Sequence, residues 1–135
     1  MLLIDTSVLV EWERGRLDLP AWLLARNEPP VICDATRTEF LAGQPLTDAG
    51  KRLRFDRFVS DVLNRLPSLP LSREVCDKAA ARLVLARSKG RTVPLGDALH
   101  AGAADHAGAT VVSMDTEHFR DMGLDAVNPS EHPAA

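Results

Sequence analysis

Apolar residues along the chain fall into short runs separated by amphipathic stretches, and that alternation sets an order of strands and helices. Met1-Leu2-Leu3-Ile4 is a run of strand length that stops at Asp5. Thr6 or Ser7 can cap a helix carrying Val8, Leu9 and Trp12, which Gly15 closes. A second helical stretch over 21–26 follows Pro20 and halts before Pro29-Pro30, and Pro30-Val31-Ile32-Cys33 reads as another short buried strand. Asp34 suits the N-cap of a helix over 35–41 that Gly43 ends. Thr47 can cap the longest amphipathic segment, in which Phe55, Phe58, Val59, Val62 and Leu66 recur at helical spacing. Pro67 and Pro70 break it, and Leu69 with Leu71 predicts a third strand. Ser72 caps a helix running to Ser88 or Lys89, with Gly90 as its stop. After Pro94 and Gly96, Asp97 opens an Ala-rich helix that ends near Gly108. Residues 109–113 (ATVVS) form a strand, then come Asp115, a helical turn around Phe119 and a last strand near 124–127.

Strands alternating with helices predict the α/β class: one domain over 1–135, with a central parallel sheet of four to five short strands flanked by helices. Residues 129–135 read as a loose tail, and no repeat or linker divides the chain. Hydrophobic residues at 45% and charged residues at 26% exclude wholesale disorder. No apolar run approaches the ~20 residues that span a bilayer, and the opening lacks the basic start of a signal peptide. Cys33 and Cys76 belong to no Cys-x-x-Cys pair or Cys/His cluster, which argues against structural zinc. Both read as buried, reduced thiols, and the expected compartment is the cytoplasm.

Charge changes the picture. The formal net charge of −3 and pI near 5.8 argue against coating nucleic acid through bulk positive charge. Yet 13 of the 16 basic residues are Arg, whose planar fork grips phosphate. Position must decide. Asp5 directly follows one strand and Asp115 lies two residues beyond another, so both should stand at the carboxyl edge of the sheet, where open α/β sheets bind ligands. Glu39 sits in mid-helix on a face of Ala35, Thr36, Ala42 and Gly43. That small face would let it reach the sheet edge; the other reading leaves it in solvent while Phe40 and Leu41 pack. Asp97 shares a face with His100, Ala101 and Ala104, and is equally well placed as a simple helix cap. Two carboxylates about 4 Å apart repel by roughly 4 kcal/mol at an effective dielectric near 20. A cluster of them therefore needs protons, arginines or a divalent cation. Oxygen-only ligands favour Mg²⁺ or Mn²⁺ over zinc, and the chemistry suggested is metal-assisted phosphodiester hydrolysis.

LIDTSVLVEW resembles the opening motif of PIN domains, TRTEFLAG their second, and PLGDALHAGAADHAGATVVSMDTEHF their third and fourth. Order, spacing and length resemble those of VapC-like toxins of type II toxin–antitoxin pairs. The resemblance implies a Mg²⁺- or Mn²⁺-dependent endoribonuclease acting on cellular RNA, a homodimer, neutralised by a cognate antitoxin. It implies Asp5 and Asp97 as principal metal ligands, Glu39 as a holder of water at the metal, and Asp115 as completing the pocket or recruiting a second ion. Thr6 and Ser113 match hydroxyls that orient the acids; a helix cap and a strand-end turn are their plainer readings. Where many relatives carry a further Asp, this chain has His118, with two readings: a contact to phosphate or metal, or an exposed turn residue. His100 reads as a surface residue or one supporting the acids, not as a catalytic base.

Arg14, Arg16, Arg37, Lys51, Arg52, Arg54 and Arg57 are candidate phosphate contacts, although 51–57 also reads as a solvated helix face. Trp12 and Trp22 read as core, while the resemblance places an antitoxin groove on part of that surface. Two alternatives stay open: a phosphatase or phosphoryl-transfer domain with an acidic metal site, and an inactive PIN-like dimerisation or binding module.

Overall fold

A computed structural model describes residues 1–131. Five strands, β1 (Leu2–Ile4), β2 (Pro30–Cys33), β3 (Ser68–Leu69), β4 (Thr110–Val112) and β5 (Ala126–Val127), form one sheet in the order β3-β2-β1-β4-β5. Every pairing is parallel, with Leu3 opposite Val31 on one side and Val111 on the other. Around the sheet pack α1 (Thr6–Glu13), α2 (Leu19–Arg26), α3 (Asp34–Ala42), α4 (Ala49–Asp61), α5 (Arg73–Ser88), α6 (Leu95–Ala107) and α7 (Thr116–Asp121). This is the α/β domain expected from the alternation.

The strands are apolar throughout because both faces are covered, and their period of two splits them between two cores. Leu3, Val31, Cys33 and Val111 join α5, α6 and α7 through Val75, Ala79, Ala98, Ala101 and Phe119. Leu2, Ile4, Ile32 and Val112 join Val8, Leu9, Leu19, Trp22 and Phe55 on the other face. Helix α3 contributes to both, sending Ala35 to the first core and Phe40 to the second. Trp22 is thus core, and Trp12 packs edge-on against Phe58 at 5.1 Å.

Several local readings are corrected. The long amphipathic segment is capped by Asp48, which accepts from the Lys51 amide at 2.9 Å, rather than by Thr47. It ends at Asp61 and gives way to a 3₁₀ turn over Leu63–Arg65. Asp34 begins α3 instead of capping it and accepts from the Ser68 hydroxyl at 2.6 Å. Helix α6 starts at Leu95, so Asp97 is its third residue and its carboxylate is not a cap. Cys33 is buried but Cys76 is exposed, one position round the helix from the buried Val75. The last described residues turn back on Asn128, whose Oδ1 accepts from the Ser130 amide and hydroxyl, and Pro129 is buried. The rest of the expected tail, 132–135, lies outside the described residues.

Candidate functional site

The order 3-2-1-4-5 places a change of direction between β1 and β4, where the connections leave towards opposite faces and open a crevice at the carboxyl edge. Asp5 and Ser113 are the first residues past these two strands, and the Asp5 amide still donates to the Val112 carbonyl at 2.9 Å. Asp5 is 6% exposed. Its Oδ2 accepts from the hydroxyls of Ser7 at 2.9 Å and Ser113 at 2.8 Å. Those hydroxyls are fixed in turn: Ser7 Oγ accepts from the Met114 amide and Ser113 Oγ from the Asp115 amide. The second carboxylate oxygen, Oδ1, faces His100 Nε2 at 3.6 Å.

His100 is fully buried on α6 and sits at the centre of the network. Nδ1 lies 2.7 Å from the Gly96 carbonyl, which can only accept, so Nδ1 carries a proton. Nε2 is 2.8 Å from the Thr36 hydroxyl, 3.5 Å from that of Thr6 and 3.7 Å from Glu39 Oε1. Burial opposes a charged ring, but the Cys33 sulfur, the Asp5 carboxylate and the Gly96 carbonyl outweigh it and raise the pKa to about 10. The imidazolium is therefore a built-in cation between Asp5 and Glu39.

Glu39 meets both of its sequence readings in part. Its side chain is 41% exposed while Phe40 packs, yet Thr6 Oγ1 donates to Oε1 at 2.8 Å. Gly96 makes the room: a Cβ there would lie 2.5 Å from Glu39 Oε2. Asp97 Oδ2 is 2.6 Å from His118 Nδ1, and Asp115 Oδ2 is 3.4 Å from the same nitrogen. Burial pushes the Asp97 carboxyl above its ordinary value and the Asp5 charge adds to this, against the pull of His118 and His100. Slight burial works against protonation of His118, but Asp97 and Asp115 together push its pKa up. All four candidate acids thus come to one edge, held in pairs: Asp5 with Glu39 through His100, and Asp97 with Asp115 through His118. Among the described residues no three acidic, imidazole or thiol side chains close round a common point.

Sequence reasoning missed two members. Of the two readings of His100, support of the acids holds and the surface position does not; its signal was a single polar residue on a face of alanines. Ser7 and Thr36 read as helix residues, and their proximity to Asp5 and Glu39 in sequence was the only hint. His118 lies in α7 and is paired, not a free turn residue.

Beside the site, a groove of about 670 Å³ runs between α1, α3 and α4 from Glu39 past Arg14, Lys51 and Arg54, floored by Val10, Phe40 and Phe55. Neither Trp lines it. Arg16 also borders the groove and pairs with Glu11, and Arg54 pairs with Glu13. Arg37 (bonded to Asn64), Arg52 (paired with Asp56) and Arg57 lie outside its lining. Arg14 and Lys51 make no ion pair among the described residues.

A parallel α/β sheet with carboxylates gathered at its switch point is the class of fold in which ligands bind at that edge. The PIN domain model matches residues 2–124, and the chain belongs to the PIN-domain family. It is 33% identical over 139 residues to the plasmid stability protein StbB of Pseudomonas syringae pv. tomato, covering 97% of this chain and 99% of that one. It is 29% identical to the VapC ribonuclease Y4jK of Sinorhizobium fredii, again over 97% and 99%. A toxin–antitoxin complex from Klebsiella pneumoniae superposes with a TM-score of 0.71 at 21% identity, covering 96% of this chain and 98% of the matched one. At that identity the likeness speaks for the fold alone.

Proposed function

We propose that this chain is a divalent-metal-dependent endoribonuclease, the toxin of a toxin–antitoxin pair, which hydrolyses phosphodiester bonds of cellular RNA. The observation that carries the reading is the Asp5–Asp97 pair. Two carboxylates, one after β1 and one in the first turn of α6, lie close enough for the charge of one to raise the pKa of the other. Their hard oxygen donors suit Mg²⁺ or Mn²⁺. When bound, such an ion supplies a Lewis acid that polarises the phosphodiester and acidifies a water. Asp5 and Asp97 would hold the ion, and the Ser7 and Ser113 hydroxyls keep the Asp5 carboxylate aimed. Glu39, fixed by Thr6 and reaching the mouth of the groove, is placed to orient the attacking water. Asp115, 58% exposed, completes the rim.

The VapC ribonuclease likeness supports RNA as the substrate, and Arg14 and Lys51 offer charges in the groove for its phosphates, with Arg16 and Arg54 beside them. Arg37, Arg52 and Arg57 would touch RNA only outside that path. The same groove, apolar in its floor and cationic at its rim, suits a segment of the cognate antitoxin, which would neutralise the enzyme by covering it. The resemblance supports a homodimer, and cysteines outside any Cys-x-x-Cys pair support a cytoplasmic setting. No helix among the described residues is long and apolar enough to cross a membrane.

The test is RNA cleavage by purified protein with Mg²⁺ or Mn²⁺ and with chelator. Cleavage should require the ion, and Asp5→Asn or Asp97→Asn should abolish it with an unchanged circular dichroism spectrum. Full activity in either variant would sink the site assignment.

A further inference from the structure

We infer that His118 holds the place of a second cation, so that the site takes one divalent ion and the imidazole itself joins Asp97 to Asp115. The inference rests on the metal reading of Asp5 and Asp97 above and deepens it. Two-metal phosphodiesterases bridge carboxylates with ions about 3.5–4 Å apart. Here Asp5 and Asp97 are one acidic pair, while Asp97 and Asp115 are the pair left to build a second position. That position is taken. One nitrogen, His118 Nδ1, lies 2.6 Å from Asp97 Oδ2 and 3.4 Å from Asp115 Oδ2. Because both neighbours are carboxylate oxygens, which only accept, Nδ1 carries its proton and donates to Asp97. That contact occupies the Asp97 oxygen on that side, and the ring nitrogen stands within reach of both carboxylates.

The ring is also held by its helix. Phe119, the next residue of α7, is fully buried, and Thr116 is buried one turn before it. Asp115, by contrast, is mostly exposed and touches the network through His118 and through its backbone bonds to Ser113. Asp115 thus follows the imidazole, and ion binding at Asp5 and Asp97 leaves the His118 link in place. The remaining Asp97 oxygen, Oδ1, makes no hydrogen bond among the described residues.

Calorimetric titration of the whole chain with Mn²⁺, without RNA, tests this. Wild type should bind one ion, and His118→Ala, at a side chain already 31% exposed, should fold normally and show a second binding event. Independently of any variant, long-range ¹H–¹⁵N spectra of wild type saturated with Mg²⁺ should show His118 Nδ1 still protonated. Two ions in wild type would overturn the inference. So would a single ion of unchanged affinity in His118→Ala, a tenfold weaker first event in that variant (the imidazole is then itself a ligand), or loss of the Nδ1 proton on Mg²⁺ binding. No ion in either protein would remove the metal reading along with the inference. One ion in both would leave that reading intact and remove only the role of His118.

Discussion

Replacing His100 tests whether the buried imidazole is the electrostatic centre of the site or only filler in the core. His100→Leu keeps apolar bulk but deletes the 2.7 Å bond to the Gly96 carbonyl and the 2.8 Å bond to Thr36. An orphaned buried carbonyl costs about 1–3 kcal/mol. Removal of the cation 3.6 Å from Asp5 Oδ1 forfeits an attraction of about 4–5 kcal/mol at an effective dielectric of 20, part of which the ring's own desolvation already cancels. Breaking such a buried pair from one side costs about 3–5 kcal/mol in total, and that is the expected loss for His100→Leu. His100→Gln keeps an amide donor and should lose about 1–3 kcal/mol. Urea unfolding in chelator at pH 7 reads both. The pH dependence has a fixed sign. The folded pKa, raised to about 10, exceeds the ordinary 6.5, so the stabilisation is complete below pH 6.5 and is lost as pH rises towards 10. The gap between wild type and His100→Gln should therefore close between pH 7 and 10. A His100→Leu protein within about 1 kcal/mol of wild type, or a gap that stays constant with pH, would refute the reasoning.

Gly96→Ala places a methyl against the Glu39 carboxylate without touching the core, so the melting temperature should barely move while RNA cleavage falls by about 10- to 100-fold; unchanged cleavage would show that Glu39 needs no fixed position. Gly102→Ala does the opposite. Its Cβ would lie 2.8 Å from the Ala79 amide nitrogen and 2.9 Å from the Ala79 Cβ, forcing α5 off α6, with a loss of about 1–3 kcal/mol or more that thermal melting should show as several degrees. Thiol titration of the native protein should find one fast group, Cys76, with Cys33 reacting only on unfolding.

The legible part of the site was the part written into strands. An apolar run that ends in Asp states both the strand and the edge where the acid stands, so Asp5 and Asp115 could be placed from the pattern alone. The helical members were harder, because a hydroxyl or carboxylate in a first turn looks the same whether it caps the helix or serves a site. Ser7 read as a cap, yet it spends its hydroxyl on Asp5, and Thr6, which read equally as a cap or as a support for the acids, bonds Glu39. Asp97 read as the start of α6, but Pro94 starts the helix earlier, and the carboxylate meets His118 instead of capping. The burial of His100 stayed hidden because the space for it comes from elsewhere: the alanines of α6 and Gly102 draw α5 and α6 together, and α3 supplies Thr36. The exposure of Cys76 was likewise set by which face α5 turned to the core, something spacing constrains only to within one position.

Assembly of the acids has an electrostatic consequence for the chain as a whole. Removing the four site carboxylates would turn its net charge from −3 to +1, so the chain's excess of acid is no larger than the charge gathered at this edge. Such an edge must be stable before any ion arrives, and the protein meets that requirement with hydroxyls and two imidazoles rather than by keeping the acids apart. Function and stability are therefore joined at some positions and separable at others. At Asp5 and His100 the bonds that aim the acid also satisfy buried groups, so substitutions there draw on the fold. At Asp115 and Glu39, which remain partly in water, the chemistry can be removed at little cost to folding. Loss of cleavage in variants at those two positions, with melting unchanged, would report on catalysis alone.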